Sequence, residues 1–413
     1  MITILHLQGK NTYAKVFTDN IDEQTIGQII QMLNEDITKN TTVRIMPDTH
    51  YGKGCTIGTT IKLPNDKKEW KIAPQIVGVD LSCAMLSYKI KEKDIDLEKL
   101  DNIVNEVVPA GSNYHKHSQK PKEVTNLIKQ LSFNIQSKEK HQLSLGTLGN
   151  GNHFIELAQD EDNNYWLTVH SGSRSLGAEI AKHHEKIAIN YHIEKHLKSR
   201  NDFINELKRQ NKHKDIQKEL IKFDKETALQ KKRLLNHIPN IPYLENELLD
   251  DYLNDIDIAD KYAYLSRKTM LDNIIKKMGW DVEFEFDSVH NNIDIKNGIV
   301  RKGATSANKD ELLIIPLNMR DGSLICRGLG NNDWNNSAPH GAGRMLSRKQ
   351  AKELLNLDEY KEQMKNVYTS SINESTLDEA PDAYKPANEI KSLIDDTVEI
   401  IHHLKPVYNF KAH

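Results

Sequence analysis

Disulfides, membrane spans and a secretory leader all find little support in this chain. Three cysteines in 413 residues, Cys55, Cys83 and Cys326, are too few for a disulfide framework. No apolar run approaches the ~18 residues that a membrane-spanning helix needs. The start, MITILHLQGKNTYAKVF, has no positively charged segment followed by an apolar core, so a cytoplasmic location is expected. An excess of basic charge is absent too: 56 basic and 59 acidic residues give a net charge of -3, so any RNA contact has to come from a local basic surface. No Gly/Ser/Pro-rich linker and no internal repeat divides the chain. Length alone would allow roughly two or three domains, but without a boundary the expectation is one domain over residues 1–413, with a helical insertion at about 176–278.

What is present begins with SAPHGAGRMLSR, from Ser337 to Arg348. Here His340 stands against the small residues Gly341, Ala342 and Gly343 and is followed by Arg344 and Arg348. Small residues let backbone approach a ligand closely, and a following helix aims free N–H groups at phosphate. Ser347 and Gln350 form a capping-box pattern, and RKQAKELLNLDEYKEQMKN continues with helix formers. The motif points to a histidine in phosphate chemistry, although a histidine in a tight turn is more often structural when it stands alone.

Four further segments share this character. VGVDLSCAM puts Asp80 and Cys83 three residues apart after the apolar, strand-like IVGV. SLGTLGNGNHFIEL carries Asn152, His153 and Glu156 behind glycines, and YWLTVHSGSRSLG ends a strand at His170 with Arg174 beyond it. HFIELAQ and YWLTVHS, joined by the polar DEDNN, read as a hairpin. FDSVHNNIDIKNGIVRKGAT places His290 at the head of a second hairpin with a Lys-Asn-Gly turn. One carboxylate, one thiol and three imidazoles suit manganese, iron, cobalt or zinc better than calcium or magnesium. Their wide spacing, from Asp80 to His290, is unlike the local pairs of a zinc finger.

Between the strand-rich segments, AEIAKHHEKIAINYHIEKHLKSR and ADKYAYLSRKTMLDNIIKKM show helical spacing of apolar residues. The reading is a helical insertion on the surface of a central β core. His192 and His196 have the spacing to clasp a metal but are expected on a solvated helix face, as are the lysines from Lys208 to Lys232.

MPDTHYGKG, VGVDLSCAM, LGTLGNGNHFIEL, VHSGSRSLG, RKGAT and SAPHGAGRMLSR, with EAPDAYKP and FKA near the end, resemble in the same order the RtcB family of GTP-dependent RNA ligases. The likeness runs from about Met46 to Lys411. It implies an α+β fold with a central β-sheet core, surrounding helices and a helical insertion. By the same resemblance Asp80, Cys83 and His153 hold one manganese ion, Cys83, His170 and His290 a second, and the Cys83 thiolate bridges them. His340 accepts GMP, and Lys411 contacts the guanine. Asn152 and Glu156 belong to the nucleotide pocket, together with Pro316, Asn318, Met319, Ser323, Gly341, Ala342 and Gly343. Asp48 falls near the metals without being a ligand. The implied reaction joins an RNA 3′-phosphate or 2′,3′-cyclic phosphate to a 5′-hydroxyl, in RNA repair or tRNA splicing. Arg174, Arg344 and Arg348 are the candidates for RNA phosphates, since guanidinium forks bind them in pairs of hydrogen bonds.

The chain also departs from the family. Where many members have a Gly-Ser pair in the loop facing the nucleotide, it reads Pro316, Leu317, Asn318, Met319, with Ser323 retained. The loop after HNN lacks an aromatic often found there. These departures suggest a divergent, bacterial-type branch with room for an RNA substrate other than spliced tRNA. They also keep two alternatives open: a metal-dependent phosphodiesterase that opens cyclic phosphates without ligating, and an RNA-binding protein that has lost catalysis. The need for an activating protein partner is left open.

Overall fold

The computed structural model describes residues 4–197, 199–210 and 216–411. In chain order the strands are β1 (Leu5–Gln8), β2 (Tyr13–Val16), β3 (Thr42–His50), β4 (Ile57–Lys62), β5 (Ala84–Ile90), β6 (Phe154–Gln159), β7 (Tyr165–Ser171), β8 (Val282–Val289), β9 (Asn291–Asp294), β10 (Ile299–Lys302), β11 (Ala304–Ser306), β12 (Leu312–Asn318), β13 (Gly322–Gly328), β14 (Ser337–Pro339) and β15 (Val398–Lys411). They form a six-stranded sheet, β1-β2-β3-β4-β10-β9, a seven-stranded sheet, β12-β13-β15-β6-β7-β5-β8, and the pair β11-β14. Helices pack around them, and the fold is α+β. No helix among the described residues is long and apolar enough to cross a membrane.

The expected hairpins form. In β6–β7, Glu156 faces Thr168 and Phe154 faces His170. The turn is fixed by Asp160, whose carboxylate accepts from the backbone N–H of Asp162 and Asn164 and from the Trp166 indole. In β9–β10, Asn291 faces Lys302.

Two local readings need correction. IVGV is not a strand: Pro74 opens a one-turn helix, Pro74–Val77, and Gly78 at φ +93° ends it, since proline presets the first helical position and glycine the exit. Asp80 and Cys83 therefore lie on the turn that leads into β5. The helix after Ser347 has its capping box but stops at Leu354, because Asn356 caps a second helix, Leu357–Gln363, accepting from the N–H of Asp358 and Glu359.

The helical middle is only partly a surface layer. The helix Asn246–Met278 buries a whole face, including Tyr252, Tyr262, Met270 and Ile274, and packs on β5 and β7, so it is a wall of the core. The helices Arg200–Arg209 and Ile216–Leu234 bury only Leu207 and Leu220, and here the solvated-face reading of the lysines stands; residues 211–215 lie outside the described residues. His196 is exposed. His192 is not: it is 4% exposed, and its Nε2 accepts from the backbone N–H of Tyr243.

Within this wall Arg267 is wholly buried and ties the helix to the sheet. Its guanidinium pairs with Asp287 at 2.8 Å and donates to the carbonyls of Ser82 and Ser171, each at 3.0 Å. Those carbonyls belong to the two segments that carry Cys83 and His170.

Candidate functional site

β5 lies between β7 and β8, and Ala84 faces both Ser171 and Val289. Cys83, His170 and His290 are each one residue away from these partners, so one end of the sheet gathers all three. His153, at the start of β6, and Asp80, on the turn before Cys83, complete the group. Cys83 Sγ lies 3.2 Å from His170 Nε2 and 3.5 Å from His153 Nε2. His153 Nε2 is 3.0 Å from Asp80 Oδ2, and His170 Nε2 is 3.2 Å from His290 Nε2. Two trios emerge, Asp80–Cys83–His153 and Cys83–His170–His290, each with its ligand atoms within 4.8 Å of one another, and Cys83 belongs to both.

The hydrogen bonds around this cluster suit a cation. His153 Nδ1 lies 2.8 Å from Leu148 O, and His170 Nδ1 lies 3.2 Å from Asn152 O. A carbonyl only accepts, so each Nδ1 carries a proton, and in the neutral ring each Nε2 is a lone pair aimed inward. Beside the Asp80 carboxylate, His153 Nε2 is satisfied by a second proton or by a shared cation. His170 stays uncharged, because burial and the neighbouring His153 push its pKa well below the usual histidine value, so its Nε2 is open to a cation. Burial, together with Asp80, pushes the Cys83 thiol up, so only a bound cation makes it a thiolate. The residues fit a metal centre.

His340 follows β14 and borders this centre, its ring 5.0 Å from that of His290. Its Nδ1 lies 2.6 Å from Asp48 Oδ2, which also accepts from its backbone N–H at 3.2 Å. Asp48 is fully buried near the end of β3, and with Nδ1 donating to it, His340 Nε2 is left as a lone pair. Gly343 makes this approach possible: its φ is +77°, and a Cβ there would stand 2.3 Å from Asp48 O. His50 lines the same cleft, and burial holds it down at about 4, uncharged at neutral pH.

The cleft measures about 280 Å³ and places Cys83, His170 and His290 beside His340 and the Gly341–Gly343 run. Asn152, Glu156, Pro316, Asn318, Met319 and Lys411 line it as well. Ser323 stands behind, donating to Glu156 at 3.3 Å, while Asn409 donates to the other carboxylate oxygen at 3.1 Å. Burial raises the Glu156 carboxyl to about 7. Asn318 has less to offer a ligand than its residue type promises. Its amide donates to Asp321, and its oxygen accepts from the N–H of Arg320 and Asp321, all within its own turn.

Glu379, inside EAPDAYKP, carries no role in the sequence reading and is central in the structure. It is 2.7 Å from Lys411 Nζ and from Arg348 Nη1 and 3.3 Å from Arg344 Nη1, and it accepts from Tyr384. Burial opposes its charge, yet Lys411, Arg348 and Arg344 hold the carboxyl down at about 2. Arg344 and Arg348 thus line the cleft with their charges partly met, Arg348 also by Asp378 at 2.5 Å. Arg174 stands apart, half-buried at the start of the helix Arg174–Glu194, with Nε donating to Thr147 at 3.2 Å. Its guanidinium crosses Gly149, where a Cβ would be 1.8 Å from Nη1.

Residues 31–412 match the family model described as tRNA-splicing ligase RtcB. The chain is similar to the RNA-splicing ligase RtcB of Escherichia coli (strain K12), 29% identical over 410 residues that cover 90% of each chain. It is also similar to the tRNA-splicing ligase RtcB of Aeropyrum pernix, at 24% over 434 residues, covering 84% of this chain and 82% of the relative. The tRNA-splicing ligase RtcB of Pyrobaculum aerophilum is 22% identical over 436 residues, with 84% and 82% covered.

Proposed function

The chain belongs to the RtcB family, and from that premise we propose that it is an RNA ligase whose nucleophile is His340, using GTP and two manganese ions to join a 3′-phosphate or 2′,3′-cyclic phosphate end to a 5′-hydroxyl. The observation that carries the reading is the contact between Asp48 and His340. Asp48 accepts from Nδ1–H, which in the neutral ring leaves Nε2 as the lone pair, and His340 lines a cleft bordered by the metal-ligand cluster. A neutral imidazole held in one tautomer is what nucleophilic attack on an α-phosphate requires.

His340 Nε2 forms the bond to that phosphorus as the bond to pyrophosphate breaks, which leaves GMP on the histidine. Asp48 stabilises the positive charge that develops on the ring. The two trios sharing Cys83 are the residues that would hold the ions, which neutralise phosphate charge and so lower the barrier to attack. Glu156, when ionised, accepts from the N–H donors of a guanine edge, and Glu379 holds Lys411 beside it. The 3′-phosphate then takes GMP from His340, and the 5′-hydroxyl of the second fragment displaces GMP to leave a phosphodiester. Arg344 and Arg348, which line the cleft, would hold RNA phosphate there.

The test is incubation of the whole protein with radiolabelled GTP and manganese, followed by mass spectrometry of the labelled peptide. Label on His340 is expected. Label on Lys411, or no label in protein that binds manganese, sinks the reading. The side chain of Asn318, spent within its own turn, favours a second reading, in which the site opens cyclic phosphates without ligating. The same assay separates the two, because that enzyme forms no GMP adduct.

A further inference from the structure

The helix Arg174–Glu194 starts beside the metal-ligand cluster: Ser173 Oγ donates to the carbonyl of Leu81, between Asp80 and Cys83, at 2.6 Å. From this end an open groove of about 730 Å³ follows one helix face, along Ser175, Ala178, Lys182 and Lys186, with Lys140 on the opposite wall. At about 1.5 Å per residue, Arg174 to Lys186 spans roughly 18 Å.

Among the described residues, the lysines of this groove are not paired with carboxylates. Elsewhere on the surface Lys15, Lys67, Lys89, Lys268 and Lys277 are each paired with a carboxylate. Lys140, Lys182 and Lys186 have no carboxylate partner among the described residues. Glu179 is the acid that lines the groove, and it is already engaged by His141 at 2.9 Å and by the backbone N–H of Gln136 at 2.7 Å. Between the lysines, Phe133 and His183 lie stacked, centroids 3.7 Å apart and planes 9° from parallel, both half-buried. Burial keeps His183 below its ordinary pKa, hence neutral. A flat neutral platform among unpaired cations is the composition that binds single-stranded nucleic acid, stacking a base while the cations take phosphates.

We propose that this groove seats the single-stranded RNA that leads to the joining centre, with Lys140, Lys182 and Lys186 holding its phosphates and the Phe133–His183 pair stacking a base. The inference rests on the ligase reading for its direction, since the helix that carries it begins at the metal-ligand cluster.

The experiment uses the full chain and a fluorescein-labelled, twelve-nucleotide single-stranded RNA with a 3′-phosphate, titrated by anisotropy at several KCl concentrations. In the triple variant K140Q/K182Q/K186Q affinity should fall about tenfold, and the slope of log affinity against log salt should become shallower by about 2, at about 0.7 per phosphate contact. His183→Ala should weaken binding by about tenfold with the slope unchanged, as for a lost stacking contact. A melting curve like that of the parent protein verifies the fold of each variant. Unchanged affinity and slope in the folded triple variant would overturn the groove, even if the protein ligates. Lysine-dependent binding by a protein that joins no ends and takes no GMP would instead overturn the ligase reading and leave the groove an RNA site.

Discussion

Asp48 Oδ2 sits 2.6 Å from Nδ1 of His340 across 292 residues of chain, and the two form one chemical unit. The carboxylate is fully buried, so its charge is unscreened by water, and it selects the tautomer in which Nε2 is free. Asp48→Asn should therefore slow GMP transfer to His340 by roughly 10²–10⁴-fold with little change in metal content. His340→Ala should remove the adduct altogether, yet still join RNA supplied with an already guanylylated 3′ end. Single-turnover labelling and a ligation gel read the two effects separately.

Cys83 is the shared corner of both ligand trios. Cys83→Ala should bring bound manganese, measured by elemental analysis of gel-filtered protein, well below that of the parent and abolish GMP labelling, with the circular dichroism spectrum intact. Parental metal content in this variant would show that the thiol is no ligand.

Glu156 ties pH to stability. Burial raises its carboxyl from the ordinary value to about 7, so the folded protein favours the protonated form. The stabilisation is complete below the unfolded value near 4.5 and is lost as pH rises through about 7. Glu156→Gln, which cannot ionise, should melt higher than the parent at pH 8, by at most about 3 kcal/mol. At pH 4 and below the two should melt alike. A difference independent of pH would refute the assignment.

Arg267 is 0% exposed and binds Asp287 and the carbonyls of Ser82 and Ser171. Arg267→Met removes one partner from a buried charge pair and should cost about 3–5 kcal/mol in urea unfolding. Because both carbonyls belong to ligand-bearing segments, the surviving folded protein should also release manganese faster to a chelator.

The members of the candidate metal cluster are legible in the sequence as Asp, Cys and His residues standing where runs of apolar residues break off. Their convergence is not, since it depends on β5 lying between β7 and β8, a pairing with long-range partners. Glu379 escapes for a different reason: in EAPDAYKP it looks like any acidic residue beside a proline turn, and only the buried Lys411 and the half-buried Arg344 reveal its work. IVGV misleads because four apolar residues fit a strand or a helical turn alike, and Pro74 decides between them. The helix Asn246–Met278 carries charges along its length, so its pattern reads as surface although one face is a core wall.

Strand β15 comes after every other strand in the chain, yet it is an interior strand of the seven-stranded sheet, hydrogen-bonded to β13 on one side and β6 on the other. During synthesis, therefore, the strand ladder from β12–β13 to β5–β8 stays interrupted until residues 398–411 have left the ribosome, although β8 and β12 also touch at Ser288 and Ile314. Two exposed strand edges wait for it, open to mispairing in the meantime. The same strand delivers Asn409 to Glu156 and Lys411 to Glu379, so this side of the cleft is completed in the step that closes the sheet.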